Sequence, residues 1–375
     1  MKILHIADVN WVGVSSTFVK YHNLLGNYSR LVTLVKNNWG FPEDIVLNLP
    51  LLKPANYIFI LKEISNFFHK FKKHYKEVKT EKRTLRVWQP RSKLEEVFFR
   101  IRDRIWGKKV FSAIEKYNLL DYDVYQLDGG HGFFRNSKVV KSLHNKGKAI
   151  VIYYLGTDFR DRGVIRTIDR IADLIITTEF DHYLMDPTMI FEFLPVETDK
   201  FEIRKEENKR LKIFHAIRSK WNRETKGTDF IVESIKKLQK DYDFEFLLIE
   251  GLPHEETLKL KMKCDIGIEQ IGNKGGTGYG MNGIENLLMG IPTVTEFTEE
   301  YNKFLKGHPF YIVNRDNFLT KIKKLLTDKN LRMRIKEKGR KWVEEKHDIR
   351  NVIKRHHFYY KKIIEKKKLN KINFS

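Results

Sequence analysis

The sequence predicts an α/β protein of two domains, each built around a parallel β-sheet. Apolar strand-like segments alternate with helix-like segments through most of the 375 residues. Such alternation implies parallel strands joined by right-handed crossovers. A polar segment at 196–210 interrupts the alternation, and the pattern restarts after it. The length is sufficient for two domains with separate hydrophobic cores.

The N-terminal half begins with the apolar segment KILHIAD at 2–8, which predicts a buried parallel strand. A loop and a helical segment follow it. Further strands are predicted at 30–36, 123–130, 148–158, 172–179 and 189–195. Residues 55–116 interleave aromatic and basic side chains and are predicted to be helical. We therefore expect a first domain at 1–200 that carries a basic helical insert at about 52–116.

The C-terminal half repeats the same pattern. Strands are predicted at 211–217, 244–251, 264–270 and 291–296, and helices at 228–241, 281–289, 316–326 and 329–366. We expect a second domain at 205–350, and a basic helical tail at 351–375 that packs back on the first domain. Ligands of open α/β sheets bind at the carboxyl ends of the strands, so we expect the functional residues in the loops there.

The net charge of +23 predicts attraction to an anionic partner. The charge is uneven along the chain. Residues 51–116 hold 18 Lys and Arg against 7 Asp and Glu, a net charge of +11, and the tail 352–375 carries +7. Solvated helix faces in a lysine-rich chain would explain the same excess.

The cysteine content and the apolar segments predict a cytoplasmic protein. Cys264 is the single cysteine, so an internal disulfide is excluded and a reducing compartment is expected. The apolar run at the N-terminus is too short for a good signal peptide. No apolar segment approaches the roughly 18 residues of a spanning helix.

The stretch GTGYGMNGIENLLMGIPTV at 276–294 joins a glycine-rich loop, a helix containing Glu285 and a strand. Backbone N–H groups at a helix N-terminus bind phosphate, and a carboxylate one turn inside can accept both hydroxyls of a ribose. A tight loop with an ordinary helical glutamate is the structural alternative. Gly278-x-Gly280-x-x-Gly283, with Glu296 beyond it, also matches a dinucleotide-binding pattern, although it does not directly follow a strand.

A second stretch, HAIRSKWNRETKGTDF at 215–230, presents four basic residues before a helix. They are Arg218, Lys220, Arg223 and Lys226. Cations are unfavourable at a helix N-terminus, which is the positive end of the dipole. They are explained if an anion lies between them, and the diphosphate of a nucleotide would fit.

Taken together, these stretches resemble glycosyltransferases of the GT-B fold, in retaining family 4. FEFLLIEG at 244–251 resembles the glycine-ending strand of that family. In the N-terminal half, YYLGTDFRDRG and IADLIITTEFDHYLMDP are similar to family segments. The resemblance covers nearly the whole chain except 52–116, and favours a divergent subgroup. It implies two Rossmann-like domains facing a central cleft.

The resemblance assigns the donor site to the C-terminal domain. Glu285 would bind the ribose, and Lys226, with one of Arg218, Lys220 and Arg223, would bind the diphosphate without a metal. Gly280 and Tyr279 belong to the loop that approaches the donor. The family places a glutamate that contacts the donor sugar at position 277, where this chain has Thr277.

Site residues of the N-terminal domain follow the carboxyl ends of its predicted strands. His131 would contact the donor sugar or the acceptor, and we assign it with Lys226 and Arg218 to catalysis. Asp158 and Arg160 would orient the acceptor, or would form an ion pair that braces their loop. Gly13 would let the first loop approach the donor phosphates or the acceptor.

The expected function is therefore a metal-independent, retaining hexosyl transfer from a UDP- or GDP-sugar to a glycan or lipid-linked acceptor, in cell-surface polysaccharide synthesis. No cofactor and no nucleic acid are expected. The alternatives are a nucleotide-sugar epimerase of similar fold, an NAD-dependent oxidoreductase and a basic nucleic-acid-binding protein. The DYD sequence at 121–123 resembles a metal-binding D-x-D motif, but it precedes a strand, so Asp121 is predicted to be a turn residue.

An anionic membrane surface is a further predicted partner. Segment 57–77 spaces apolar side chains at three- and four-residue steps among lysines, as an interfacial helix does. Packing of that stripe on the sheet is the alternative. A lipid-linked acceptor favours the membrane, and we expect peripheral attachment to its inner face.

Overall fold

The computed structural model describes residues 1–38, 40–51, 75–272 and 278–372. The chain forms two compact units. The first unit consists of Met1–Glu192 with Val352–Ser375, and the second unit consists of Phe193–Asn351. Each unit contains a sheet of parallel strands with helices between them, so the predicted α/β class is confirmed.

The first unit is built on a seven-stranded sheet. Its strands are β1 (Lys2–Ala7), β2 (Tyr28–Thr33), β3 (Ile45–Val46), β6 (Val124–Asp128), β7 (Ala149–Tyr154), β8 (Leu174–Thr177) and β9 (Ile190–Phe191), with a separate hairpin of β4 (Tyr75–Lys79) and β5 (Thr84–Trp88). Its described helices include α1 (Val14–Leu24), α2 (Lys93–Lys116), α3 (Lys138–Asn145), α4 (Arg166–Ile171) and α5 (Phe180–Met185). The order in the sheet is β3-β2-β1-β6-β7-β8-β9, and all neighbours are parallel.

The central strands explain why the alternation of strand-like and helix-like segments can be recognised in the sequence. Every residue of β6 and β7 is buried, as expected for parallel strands covered on both faces. Trp106 and Val110 of α2 belong to the same core cluster as Tyr125 of β6 and Ile152 of β7. The buried face of α2 is therefore part of the hydrophobic core of the first unit.

The prediction of continuous helix through 55–116 is wrong for 75–88, which forms the antiparallel β4–β5 hairpin. Residues 52–74 lie outside the described residues. The strands YKEVK and TLRVW pair in antiparallel register, with Tyr75 opposite Trp88 and Lys79 opposite Thr84. The turn between them is closed by Thr80 N–H, which donates to the carbonyl of Arg83 at 2.8 Å. Helix begins only at α2, where the Ser92 side chain accepts a hydrogen bond from the Glu95 backbone.

The second unit is built on a five-stranded parallel sheet. Its strands are β10 (Lys212–Ile217), β11 (Glu245–Glu250), β12 (Ile266–Ile268), β13 (Thr293–Thr295) and β14 (Tyr311–Ile312). Its helices include α6 (Arg223–Lys226), α7 (Thr228–Leu238), α8 (His254–Lys261), α9 (Met281–Leu288), α10 (Glu299–Phe304), α11 (Phe318–Thr327) and α12 (Lys329–Lys346). The order in the sheet is β11-β10-β12-β13-β14.

Both faces of the second sheet are covered by helices. Ile213 of β10 packs in one cluster with Ile235 of α7 and Ile322 of α11, whereas the next residue, Phe214, packs in a separate cluster with Met289. Successive side chains of a strand point to opposite faces, so the alternation along β10 supplies two cores. Segment 196–210, predicted as a linker, lies within the second unit.

The single helix predicted at 329–366 is two helices, α12 and α13 (Ile349–Ile372). The break is held by Val196. Its N–H donates to the carbonyl of His347 at 2.9 Å, and its carbonyl accepts from Ile349 N–H at 3.0 Å. Backbone pairing of this kind replaces the helical hydrogen bonds at the break. The sequence pattern does not predict α4, α5 and α10, because each spans less than two turns.

Histidines join α13 to helix α1 of the first unit. His22 Nδ1 and His357 Nε2 are 2.7 Å apart, and His356 stacks on Phe18 with ring centroids 5.1 Å apart. Burial, with the neighbouring His5, lowers the pKa of His356 to about 3 and the pKa of His22 well below its usual value. Both rings are therefore neutral in the folded protein at neutral pH.

We expect the free energy of unfolding to fall as the pH drops from about 7 towards 4. The unfolded chain binds protons at these histidines near pH 6.5, whereas the folded chain does not, so each contributes up to about 1.4 kcal/mol per pH unit. Urea unfolding at pH 8, 7, 6 and 5 would measure this. His356→Gln should lose less stability between pH 7 and 5 than the unsubstituted chain. A constant stability over that range would contradict the prediction.

Candidate functional site

The sheet of each unit reverses its order at one point, and ligands of open parallel sheets bind at the carboxyl ends of the strands beside such a reversal. In the second unit the reversal lies at β10, which pairs with β11 on one side and β12 on the other. In the first unit it lies between β1 and β6. The predicted site residues follow these strands.

A glycine fixes the basic loop that follows β10. Gly227 has a φ of +66, in the left-handed region that favours glycine, and a Cβ at this position would lie 1.9 Å from the carbonyl oxygen of Ile271. The N–H of Ile271 donates to the carbonyl of Lys226 at 3.1 Å. The loop after β10 therefore lies directly against the loop after β12.

A buried histidine ties the same two strands to helix α7. His215 Nδ1 lies 2.9 Å from the carbonyl oxygen of Ile268, and its Nε2 lies 2.9 Å from the hydroxyl of Thr228. Burial lowers the pKa of His215 to about 4, so the ring is neutral. A neutral ring donates from Nδ1 and accepts at Nε2, which satisfies both contacts.

Lys226 binds a buried carboxylate that was not predicted as a site residue. Its Nζ lies 2.6 Å from Glu269 Oε1 and 3.2 Å from Gln270 Oε1. Glu269 follows β12, is fully buried, and also accepts a hydrogen bond from Asn282 of α9. An acid directly after a buried strand is the signal in the sequence that could have found it. The charge of Lys226 is balanced by this carboxylate.

The other three basic residues of the loop differ in their surroundings. Arg223 donates to Asp229 at 2.6 Å and to Glu250 at 2.9 Å, so its guanidinium is held by carboxylates. Arg218 and Lys220 are exposed. The structure therefore brings Lys226 to the sheet edge together with Glu269, and leaves Arg218 and Lys220 at the surface of the loop.

Glu285 lies in the second turn of α9 and is buried between a lysine and a histidine. Its Oε2 accepts from Lys261 Nζ at 2.6 Å, and its Oε1 lies 2.7 Å from His254 Nε2. The Lys261 side chain is 1% exposed, whereas the His254 side chain is 64% exposed. The carboxylate therefore has one buried partner and one partner at the surface.

Electrostatics keep Glu285 ionised. Burial alone would raise its pKa, but the charge of Lys261 and the hydrogen bond from His254 outweigh it, and the pKa is lowered. The hydrogen bond to Glu285 in turn raises the pKa of His254. A buried anion whose outer oxygen faces a displaceable histidine can accept hydrogen bonds from an incoming ligand.

The glycine loop before α9 is described from Gly278 onward, so Thr277 lies outside the described residues. Gly278 has a φ of +111, and a Cβ there would lie 2.1 Å from Phe297, so glycine is required. A Cβ at Gly280 would lie 3.9 Å from Glu269 Oε1. The predicted donor loop therefore passes next to the Lys226–Glu269 pair.

Tyr279, predicted to bind the donor, is packed among aromatic side chains. Its ring centroid lies 4.6 Å from that of Phe310, and its hydroxyl lies 3.2 Å from His347 Nε2. Glu296, the acid of the dinucleotide pattern, accepts a hydrogen bond from the N–H of Gly272 at 2.7 Å. Both side chains thus have structural contacts within the second unit.

In the first unit, the reversal between β1 and β6 brings His131 to Asp8. A carboxylate oxygen of Asp8 lies 2.5 Å from His131 Nε2, and the carbonyl of Gly132 lies 2.9 Å from Nδ1. Burial would raise the pKa of Asp8, but the neighbouring His131 and two arginines lower it. His131 was predicted as a site residue, whereas Asp8, which directly follows β1, was not.

The other predicted residues of the first unit brace their own loops. A Cβ at Gly13 would lie 2.7 Å from the Phe41 ring, so this loop lies against that ring. Asp158 accepts hydrogen bonds from three backbone N–H groups, the shortest at 2.8 Å from Phe159. Arg160 binds Asp181 at 2.6 Å and also Glu179. These contacts match the loop-bracing alternative for Asp158 and Arg160.

The D-x-D sequence lies at the amino end of β6, at the opposite edge of the sheet. Asp121 pairs with Lys2 Nζ at 2.7 Å, and Asp123 accepts from the Lys2 backbone at 2.8 Å. Within the described ranges, no group of three His, Cys, Asp or Glu side chains is arranged to hold a metal ion.

No protein-family model and no curated protein matches the chain. Solved structures match nearly its whole length at low sequence identity. An α-glucosyltransferase in complex with UDP and a DNA 13-mer is 12% identical, with a TM-score of 0.55 over 96% of this chain and 100% of that one. The lipopolysaccharide outer core galactosyltransferase WaaB is 11% identical, with a TM-score of 0.53 over 99% and 100%.

A putative UDP-N-acetylglucosamine 2-epimerase from Listeria monocytogenes is similar to the same extent, at 11% identity and a TM-score of 0.54 over 97% of each chain. All three matches extend over both α/β units of this chain. With its two parallel sheets and these full-length matches, the chain has the GT-B fold.

Proposed function

We propose that this chain is a glycosyltransferase that moves a hexose from a nucleotide-sugar donor to a glycan or lipid-linked acceptor, in the manner of retaining family 4. The observation that carries the proposal is Glu285. It is a buried, ionised carboxylate in the second turn of α9, the helix that follows β12 in the chain, and its outer oxygen faces an exposed histidine. The two glycosyltransferases named above support it through their fold.

The ribose of the donor would bind Glu285. A ribose diol offers two adjacent hydroxyl donors, and within the described residues Glu285 Oε1 is bonded to the exposed His254 alone. Displacing His254 costs little because its side chain is solvated. Lys261 would keep the carboxylate ionised and in position throughout.

The diphosphate would bind at Lys226. An ammonium group has three N–H donors, and Glu269 and Gln270 accept two of them. The third can donate to a phosphate oxygen, with Arg218 and Lys220 adding positive charge at the surface of the loop. Lys226 would then stabilise the departing diphosphate, which is the charge that develops in the transition state.

Glu269 would bind a hydroxyl of the transferred sugar. The resemblance expects a glutamate at 277 for this role, and the chain has threonine there. Glu269 lies beside Gly280, which has no side chain to cover it, and its two oxygens have lone pairs beyond those bonded to Lys226 and Asn282. A buried acid from β12 would thus replace an acid from the loop.

The first unit would bind the acceptor near His131. Asp8 fixes the position of the imidazole, which can hydrogen-bond the hydroxyl that receives the sugar. Catalysis would consist mainly of positioning the two substrates and stabilising the leaving diphosphate, with no metal required.

A thermal-shift screen tests the donor. We expect UDP or GDP to raise the melting temperature more than ADP, CMP or NAD, since ligand binding to the folded state stabilises it. The stabilisation should survive excess EDTA. A preference for NAD would support an oxidoreductase, and a requirement for Mg²⁺ or Mn²⁺ would contradict metal independence.

An epimerase is the second candidate, supported by the similarity to the Listeria protein. It would convert a nucleotide sugar without an acceptor. Incubation with UDP-N-acetylglucosamine alone, followed by chromatography of the sugars, separates the two functions. Formation of an epimer would overturn the transferase proposal.

We also propose that the protein docks on an anionic membrane surface through α2. Segment 57–77, first predicted for this role, is strand at 75–77 and otherwise lies outside the described residues. One face of α2 exposes large apolar side chains at helical spacing. They are Leu94, Val97, Phe98, Ile101 and Ile105. None of the described helices is both long and apolar enough to span a bilayer.

Basic residues flank this face of α2. Arg104 and Lys108 lie on one side of the apolar stripe and Lys109 on the other, and all three are exposed. An apolar stripe bordered by cations can insert between the headgroups of an anionic bilayer, where each cation contributes about 1 kcal/mol. A lipid-linked acceptor would be met at that surface.

Co-sedimentation with liposomes tests the docking surface. We expect binding to anionic vesicles and not to neutral ones, reduced by high salt because salt screens the charges. Ile101→Asp with Ile105→Asp should abolish binding, while Leu319→Asp, at an exposed leucine of α11, should not. Equal recovery in the supernatant under every condition would contradict docking.

A further inference from the structure

The first unit contains an arginine whose N–H groups the described residues leave partly unsatisfied. Arg135 lies between β6 and α3, and its guanidinium carbon is 4.7 Å from the ring centroids of both Trp88 and Phe99. Its Nε and Nη1 are buried and have no hydrogen-bond partner among the described residues. Stacking on rings orients a guanidinium but does not satisfy its N–H groups.

The charges of two more arginines, Arg102 and Arg162, act on Arg135. Arg102 also lies over Phe99, 4.7 Å from its ring centroid, and pairs with Asp103 at 2.9 Å. Arg162 donates to the carbonyls of Gly129 and Gly163. Burial, together with the charges of Arg162 and Arg102, lowers the pKa of Arg135 to about 9.

This arginine group adjoins the predicted acceptor site. Arg162 binds the carbonyl of Gly129, two residues before His131. The Asp8 carboxylate that holds His131 is influenced by the charges of both Arg162 and Arg135. The imidazole and the arginines therefore share the carboxyl edge of β1 and β6.

We propose that the acceptor carries an anionic group, a phosphate or a carboxylate, which Arg135 and Arg162 bind beside the hydroxyl that receives the sugar. This inference rests on the proposed function. An oxyanion supplies the acceptors that the Arg135 N–H groups lack, and guanidinium groups suit planar carboxylates and phosphates alike. A neutral glycan would leave these N–H groups buried and unpaired.

Ligand binding in the presence of saturating UDP tests the inference, since UDP keeps small anions out of the donor site. The probes are glycerol 1-phosphate against glycerol and D-glucuronate against D-glucose, followed by calorimetry. We expect at least one anion to bind at least about tenfold more tightly than its neutral counterpart, and the stronger anion identifies the group. Arg135→Gln should abolish the preference, while Arg170→Gln, an equal loss of charge at an exposed residue of α4, should keep it.

Arg162→Gln provides a second variant if Arg135→Gln fails to fold, and it should weaken the preferred anion at least about fivefold. The inference would be overturned if neither anion bound more tightly than its neutral counterpart. It would also be overturned if the preference were unchanged in a folded Arg135→Gln or Arg162→Gln variant. UDP binding is measured in the same samples. Its absence would reject the proposed function, whereas UDP binding without an anion preference rejects only the anionic acceptor.

Discussion

Glu285→Ala is expected to lower the free energy of unfolding by about 3–5 kcal/mol, because it leaves the buried Lys261 ammonium without its counterion. The same change should weaken UDP binding by about 1.5–3 kcal/mol, the scale of a hydrogen bond to a charged group. Urea unfolding and titration calorimetry measure the two effects separately.

A double variant distinguishes the structural from the binding role of Glu285. Replacing the pair together, as Glu285→Leu with Lys261→Met, removes both buried charges and should restore much of the stability. UDP binding should remain lost. Recovery of UDP binding in this variant, or wild-type affinity in Glu285→Ala, would place the ribose site elsewhere.

Lys226→Met is expected to weaken UDP binding by about 1.5–3 kcal/mol, because the diphosphate loses an ammonium donor at the edge of the sheet. Stability should also fall, since Glu269 is fully buried and loses its cation. Calorimetry with UDP and with uridine isolates the contribution of the phosphates, because uridine affinity should change little.

Two controls sharpen the Lys226 experiment. Lys226→Met combined with Glu269→Gln removes the uncompensated charge and should recover stability without recovering UDP affinity. Lys236→Met changes an exposed lysine on α7 and should alter neither. If the ratio of UDP affinity to uridine affinity were the same in Lys226→Met as in the unsubstituted chain, the diphosphate would not lie at Lys226.

The two-sheet architecture was predictable because parallel strands buried on both faces produce continuous apolar runs, as in β7. The same pattern predicted Lys226 in the loop between a strand and a helix, and it predicted Glu285 in a helix. Their partners were not predictable. Lys261 and His254 lie 24 and 31 residues from Glu285 in the chain, and only the tertiary structure shows that they contact it.

Asp8, Glu269 and the β4–β5 hairpin show a second limit. Each carboxylate directly follows a buried strand, but a single acid at a strand end is common, and only tertiary structure shows that Asp8 reaches His131. In the hairpin, the basic composition resembled that of the neighbouring helix, and YKEVK lacks the apolar–polar alternation that would have indicated a strand. The basic composition of a segment therefore does not indicate whether the segment is a helix or a strand.

The order of the two units along the chain determines which of them can finish folding first during synthesis. The second unit is one continuous stretch, Phe193–Asn351, whereas the first unit includes Val352–Ser375, which follow the second unit in the chain. During synthesis, the first unit emerges first, yet its buried histidines lack His356 and His357 until the whole second unit has been translated. The second unit can therefore finish folding earlier, and premature termination after Asn351 would release a chain whose first unit lacks its closing helix.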